Sequence, residues 1–315
     1  MTSPLVSIIL FAHAPFARFV PASLSSILGQ SYARLEVLVL GDGSQEIQAA
    51  VETFKHDGRV RLCSQGNQPF LQAANDYMLS CGGRYIGTWN SDDLYNQDHV
   101  KLLVDVLEEH PESGGAFDNV EYFEDSSGAS AGSDDDRSTP KLILSAEEGE
   151  RLASSVISVQ RIFADNIMTG PSSLIRKEAF LKVGGYDPAI YLNCDLHWFY
   201  RIGAYFPFRY VNYIGVRKRI HPANNTAVNP HYEFGVRELE NIRDCYPDVF
   251  QRIGKTVFDK KLGRKYYRLG LYFEKTGDQG KAGEMYGKAM ALRRFSLRYR
   301  WEYLRLTFLR QARMF

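Results

Sequence analysis

Two adjacent acids, Asp92 and Asp93, close the tetrad Asn90-Ser91-Asp92-Asp93 directly after the apolar run Tyr85 to Trp89. Carboxylates held this close disfavour each other's ionised form unless a cation sits beside them. At an effective dielectric of about 20, two unit charges ~4 Å apart interact by roughly 4 kcal/mol. Mg²⁺ or Mn²⁺ would turn that repulsion into attraction and keep positions open for a phosphate ligand. The alternative is that the pair caps the next helix and stays in water. A second acid, Asp42, sits between Gly41 and Gly43 in Gly41-Asp42-Gly43-Ser44, after the apolar run Glu36 to Leu40. The glycines permit a sharp turn from which Asp42 could accept a hydrogen bond from a base or sugar; a plain turn is the other reading.

Both turns must be positioned by strands. Val6 to Leu10, Glu36 to Leu40, Arg59 to Cys63 and Tyr85 to Trp89 read as short buried strands. Between and after them, Phe16 to Leu28, Gln45 to about His56, Phe70 to Ser80 and Asn96 to His110 read as helices. Strands alternating with helices predict βαβ units and a mostly parallel sheet covered on both faces. Ligands of such sheets bind at the carboxyl ends of the strands, where both acidic turns fall. Residues 124–150 are polar and rich in Gly and Ser, and their run Asp134-Asp135-Asp136 reads as a solvated loop. Patterning resumes near Ser145, at Leu174 to Phe180, and in an aromatic-rich helix from Asp195 to Ala204.

Three longer stretches then form a pattern. They are SIILFAHAPFARFVPASLSSILGQSYARLEVLVLGDGS, GNQPFLQAANDYMLSCGGRYIGTWNSDD, and SSLIRKEAFLKVGGYD followed by CDLHWFYR. In order and spacing, over about residues 5–225, they resemble the family 2 glycosyltransferases with the Rossmann-like GT-A fold of nucleotide-diphosphosugar transferases. The resemblance implies a metal-dependent, inverting transfer from a UDP- or dTDP-sugar to a hydroxyl of a glycan or lipid-linked acceptor. Cell-surface polysaccharide synthesis is the implied setting. Asp42 matches the acid that bonds the imide of uracil or thymine. Asp92 matches a residue facing the donor sugar or ribose, and Asp93 the ligand of Mn²⁺ or Mg²⁺. Asp195 matches the catalytic base, a role typically contributing about 10²–10⁴-fold. His221 matches a histidine near the metal or diphosphate, with a loop histidine as the alternative. Asn67 and Asn75 match polar residues of the nucleotide pocket, Asn75 being also readable as a structural hydrogen-bonder. Arg217, Lys218 and Arg219 could add charge for the diphosphate or form a solvated strand end.

Departures accompany the match. Phe11-Ala12-His13-Ala14 stands where relatives often carry PTYN, GDGS stands for DDGS, and Cys194-Asp195 for Glu-Asp. Ala12 lacks the hydroxyl that would bond a nucleotide, which His13 either replaces or ignores. A nucleotidyltransferase would need a glycine-rich triphosphate loop near the N-terminus, absent from FAHAPFARF. A catalytically degenerate sugar-nucleotide-binding scaffold is the remaining alternative, opposed by the joint presence of Asp42, Asp93 and Asp195.

The expected organisation is a catalytic domain over 1–225 and a basic helical region over 226–315. Residues 252–315 hold 17 Lys+Arg against 5 Asp+Glu, leaving 21 against 32 in the remainder. The basic end favours an anionic partner: a membrane surface, a protein, or the acidic body itself. Nucleic acid is not expected. Around 263–296, Tyr266, Leu269, Gly270, Phe273, Ala282, Tyr286 and Ala289 have the spacing of one tetratricopeptide-like hairpin, with Arg294 replacing the usual closing proline. Beyond it, arginines interleaved with Trp, Tyr, Phe and Leu fit either a helix lying on an anionic bilayer or one packed on the body. The four cysteines lie far apart, no apolar run is long enough to span a membrane, and the N-terminus lacks a signal-peptide pattern. The expected setting is the cytoplasm, with peripheral attachment at the inner face of the cell membrane as an option.

Overall fold

The computed structural model describes residues 3–124, 141–153, 155–221, 224, 231–293 and 296–312. The acidic run 134–136 and Arg294 lie outside them. In chain order the elements are β1 (Val6–Ala12), a 3₁₀ turn (Ala14–Phe19), α1 (Val20–Leu28), β2 (Leu35–Gly41), α2 (Gln45–Glu52), β3 (Val60–Ser64), α3 (Phe70–Ser80) and β4 (Tyr85–Asn90). There follow β5 (Leu94–Tyr95), α4 (His99–Glu109), β6 (Gly115–Glu124), β7 (Lys141–Leu142), α5 (Ala146–Ala153), β8 (Val156–Ile157), α6 (Val159–Asp165), β9 (Ser173–Arg176), α7 (Lys177–Val183) and α8 (Cys194–Gly203). The chain continues through β10 (Phe208–Ile220), α9 (His231–Cys245), α10 (Pro247–Ile253), α11 (Lys255–Lys275), α12 (Gln279–Leu292) and α13 (Leu297–Ala312).

The sheet runs β3-β2-β1-β4-β9-β6-β10-β5, with β7 beside β6 and β8 beside β10. The predicted strands β1 to β4 pair in parallel, and β6 pairs in parallel with β10. β9 runs antiparallel between β4 and β6. The mostly parallel α/β sheet flanked by helices is therefore present, with a helical extension after it. β1, β2 and β4 are continuous apolar runs because both faces are covered, one by α1, α2 and α4, the other by α3 and α8. Besides the two-residue strands β5, β7 and β8, two long strands were not legible as strands. β6 ends in polar residues, and β10 mixes Arg, Lys, Asn and Tyr over thirteen positions, so neither shows a clean period of two.

α11 and α12 pack side by side around the turn 276–278. Gly270 lies flat against Tyr286, where a Cβ would meet the ring at 2.6 Å. No second repeat was expected, and α13 packs instead as a single helix, its Tyr299 ring stacked 4.9 Å from Tyr267. The extension shares a core with the body: Phe258 of α11 stacks on Phe163 of α6 at 5.2 Å, and Phe250 of α10 meets Phe258 edge-on.

Candidate functional site

A cavity of about 210 Å³ opens at the carboxyl ends of β1 and β4, lined by Phe11, His13, Asp92, Asn193, Asp195 and Lys218 among others. Each acid arrives by a different route. β4 ends at Asn90, and both acids follow in the turn that leaves it. Asp92 lines the cavity, and its Oδ2 lies 3.1 Å from His221 Nε2 and 3.3 Å from Asn224 Nδ2. Asp93 is wholly buried behind it; one oxygen accepts from the Arg219 amide at 3.1 Å. Its other oxygen has no partner among the described residues. Burial, reinforced by the charge of Asp92, pushes the Asp93 carboxyl up from the carboxylate range. The nearby Lys218 ammonium opposes that shift.

Those are the conditions a divalent cation would meet. A buried orphan oxygen, a second carboxylate and an imidazole are brought together, with an ammonium alongside. Among the described residues no three His, Cys, Asp or Glu side chains form a ready cage. The donor set fits an ion that takes its remaining ligands from phosphate and water, as Mg²⁺ and Mn²⁺ commonly do with one or two carboxylates.

Asp195 sits in the first turn of α8, whose preceding residue, Asn193, adopts the left-handed conformation (φ 61°). That kink turns the helix start toward the cavity. The Gly170 amide donates to Asp195 Oδ2 at 3.1 Å and the Leu196 amide to Oδ1 at 2.8 Å, which fixes the carboxylate. Gly170 must be glycine-sized: a Cβ there would stand 2.9 Å from the Thr88 carbonyl. Lys218 lies near both clusters; Asp93, Asp195 and Asp92 all raise its pKa against the lowering effect of burial, and the net shift is upward.

The remaining predicted residues divide. Asp42 is exposed in the turn after β2 and outside the cavity wall, but its Oδ2 accepts from the Ala14 amide at 2.7 Å, tying the GDGS turn to the end of β1. Its Oδ1 accepts from Ser44 Oγ at 2.6 Å. Slight burial raises its pKa, but the Ser44 and Ala14 hydrogen bonds outweigh that and hold the carboxyl below its ordinary value. Asn67 is exposed in the turn after β3 and does not reach the cavity. Asn75 spends both ends of its amide on the Tyr186 backbone, at 2.7 and 2.8 Å, which is the structural role its sequence left open. Of the basic triplet, Arg217 pairs with Glu121 at 3.0 Å and Arg219 donates to the Asp92 carbonyl at 3.1 Å. Lys218 alone of the three lines the cavity, since alternation along β10 points it to the other side. His13 lines the cavity against the Phe70 ring at 4.5 Å, and burial lowers its pKa despite Asp42 and Asp92.

Sequence reasoning missed three contributors. Asn224 holds both Asp92 and the His221 amide, the latter at 2.7 Å. Gly170 positions Asp195, as above. Glu238, on α9, accepts from Asn193 Nδ2 at 3.1 Å and so braces the start of α8 from behind. Burial raises the Glu238 pKa, against the pull of Lys265 and Lys261. All three lie outside the quoted motifs, and only the tertiary fold brings them in.

Comparisons with known proteins bear on the family and the fold. The model of the family described as "Glycosyl transferase family 2" matches residues 7–184. A chondroitin synthase of Escherichia coli is 35% identical over 104 residues, which is 32% of this chain and 15% of that protein. The chain spans about a third or less of the length of the first curated relatives it matches. Among solved structures, S. aureus TarS 1-349 in complex with UDP-GlcNAc superposes with a TM-score of 0.65 at 12% identity, covering 96% of this chain and 89% of that one. The mannosyltransferase PcManGT from Pyrobaculum calidifontis, in complex with GDP-Man and Mn²⁺, gives 0.53 at 16% identity, covering 100% and 87%. At these identities the likeness is one of fold, the GT-A fold. The family match takes in more than half of the chain, and the chain belongs to glycosyl transferase family 2.

Proposed function

We propose that this family 2 glycosyltransferase moves a sugar from a UDP- or dTDP-sugar to a hydroxyl of a glycan or lipid-linked acceptor, with inversion and with Mn²⁺ or Mg²⁺, in cell-surface polysaccharide synthesis. The observation that carries the reading is that Asp92 and Asp195, 103 positions apart in the chain by their numbering, line one cavity at the strand ends. The relatives add support: chondroitin synthase is a polysaccharide-making protein by name, and the two solved relatives hold sugar nucleotides.

In this reading Asp42, kept ionised by its hydrogen bonds, accepts from the imide of the pyrimidine; a carboxylate has lone pairs to spare beyond those used by Ala14 and Ser44. Asp92 faces the donor sugar. Asp93 and His221 are the residues that would hold the metal, which would supply positive charge against a diphosphate leaving group. Lys218 adds a fixed positive charge at the same wall. Asp195 takes the proton of the acceptor hydroxyl while that oxygen bonds to the anomeric carbon and the bond from that carbon to the diphosphate breaks. The leaving nucleoside diphosphate carries away the electron pair. Asn67 lies outside the cavity, so contact with the nucleotide would require the β3–α3 turn to close over it.

The test is a pair of variants. Asp195→Asn is expected to cut transfer by roughly 10²–10⁴-fold, the usual worth of a general base, with donor binding intact. Asp93→Ala is expected to abolish transfer and to remove the metal dependence of donor binding. Full turnover by Asp195→Asn would overturn the assignment of the base. A thermal-shift screen of nucleotide sugars with Mn²⁺ identifies the donor; a donor that binds wild type but is not transferred by it would favour the non-catalytic scaffold, to which the hydroxyl-free Ala12 is the pointer.

For the partner of the basic end, we propose peripheral attachment to an anionic membrane surface through α13. Leu297, Trp301 and Leu304 project from it unpacked, next to Arg298 and Arg300. No helix among the described residues is long and apolar enough to cross a membrane.

A further inference from the structure

A second cavity, of about 250 Å³, opens between the end of α6 and the middle of α11. Its wall carries Lys261, Arg264, Lys265 and Arg268. The spacing, three, four and seven residues on from Lys261, sets all four on one face of the helix. Asp165, the one acid in the wall among the described residues, is already paired with Arg161 of its own helix. Arg264, Lys265 and Arg268 have no ion pair or hydrogen bond among the described residues. Elsewhere on the extension several lysines and arginines pair: Lys255 with Asp259, Lys281 with Asp278, Lys288 with Glu284, and Arg305 with Glu274. On the face toward α6, Lys265 has the buried Glu238 nearby, and the two arginines are left without a counter-ion among the described residues.

The floor is built rather than incidental. Lys261 is 7% exposed and fixed by three oxygens: the Phe163 carbonyl, Asn166 Oδ1 at 2.5 Å and Tyr200 Oη at 3.0 Å. Asn166 offers its side chain because it ends α6 in the left-handed conformation (φ 50°). Lys265 reaches over α9 at Gly235, where a Cβ would stand 2.6 Å from its ammonium. The buried Glu238 compensates Lys265 and Lys261 from behind, and burial pushes the Lys261 ammonium down to about 7. Arg264 and Arg268 face the cavity without such a partner, and like charges on one face disfavour one another unless an anion lies between them. The planar donor forks of arginine suit oxyanions that take paired hydrogen bonds. A phosphate monoester, with a charge near −1.5 to −2 at neutral pH, matches that density of positive charge better than a single carboxylate.

We propose that this cavity is a second ligand site, for a phosphate monoester group, separate from the sugar-nucleotide cavity. The site does not depend on the transfer reaction. Its floor touches a helix of the first cavity: Lys261 bonds Tyr200 of α8, whose first turn carries Asp195.

The test uses the full chain with inorganic phosphate and glycerol 1-phosphate as probes, chloride at matched ionic strength as the blank, and calorimetry with thermal shift as readouts. Wild type is expected to bind phosphate and melt higher in it than in chloride. Arg264→Gln/Arg268→Gln, both on the exposed helix surface, is expected to weaken that binding by roughly tenfold or more, as loss of two charge-assisted contacts implies. The charge-matched control Lys281→Gln/Lys288→Gln and the first-cavity variant Lys218→Gln are expected to bind phosphate as wild type does. A phosphate effect no larger than that of chloride, one retained by the arginine pair variant, or one lost in Lys218→Gln instead would each overturn the proposal. Sedimentation with vesicles of phosphatidic acid in phosphatidylcholine separates the sources. Arginine-dependent pelleting on top of phosphate binding assigns the group to a lipid headgroup. Phosphate binding without pelleting assigns it to a soluble phosphate ester.

Discussion

At the scale of single residues, the sequence named the acids, but what each one contacts depends on neighbours the sequence did not reveal. Asp92 and Asp93 are adjacent, yet one lines a cavity and the other is buried with an unpartnered oxygen. Asn75 shows the opposite case: its spacing matched a nucleotide pocket, while its amide is consumed by Tyr186. A buried acid away from the site offers a clean test of how burial acts. Asp118 is fully buried with its Oδ2 2.5 Å from His99 Nδ1. Burial pushes its pKa up to about 6, against the lowering pull of His99. A raised folded pKa means the folded state holds the proton more tightly. The contribution to stability is therefore full below the unfolded pKa near 4 and is lost as pH rises through about 6. The expected outcome is that wild type, measured relative to Asp118→Asn, loses on the order of 2–3 kcal/mol between pH 4 and 7. Urea unfolding at a series of pH values checks this; parallel curves for the two proteins would refute it.

At the scale of elements, the four parallel strands and their helices were legible because each is an apolar run of the right length ended by a turn. The strand that completes the site, β10, was not. It is irregular for a reason: its register against β6 shifts at Ile214 and again before Val216. Gly215 sits at that irregularity, and a Cβ there would collide with the Asp118 and His99 side chains. Only beyond this bulge does β10 bring Lys218 to the cavity and the Arg219 amide to Asp93. Bulges commonly re-aim a strand in this way beside a site. Gly215→Ala is therefore expected to destabilise the protein by about 1–3 kcal/mol or more, the usual cost of overpacking. It is also expected to lower transfer activity at temperatures where the variant remains folded. Denaturant midpoints and initial rates measured on the same preparation separate the two effects, and an unchanged midpoint would sink the argument.

At the scale of the whole molecule, the charge asymmetry was visible in the sequence, but its internal destination was not. The basic extension does not simply lie on the acidic body: Lys261 is drawn into the interior while Phe258 continues the body's core. The two readings of the last helix also prove compatible. α13 packs through Tyr299, 6% exposed, against Tyr267, while Leu297, Trp301 and Leu304 on another face are 80%, 66% and 49% exposed. These three recur at i, i+4 and i+7, so they form one stripe, flanked by arginine. A helix held to the body by one face can present the other to a bilayer, where apolar burial and anionic-lipid attraction add, at roughly 1 kcal/mol per basic residue near the surface. Wild type is expected to sediment with phosphatidylglycerol-containing vesicles at low salt and to be released as salt rises, since exposed charges are screened. Trp301→Ser/Leu304→Ser removes the stripe without touching Tyr299 and is expected to stay in the supernatant with its melting temperature unchanged. Equal recovery of the two proteins in the pellet would eliminate the stripe as the attachment surface and leave α13 as a packing helix alone.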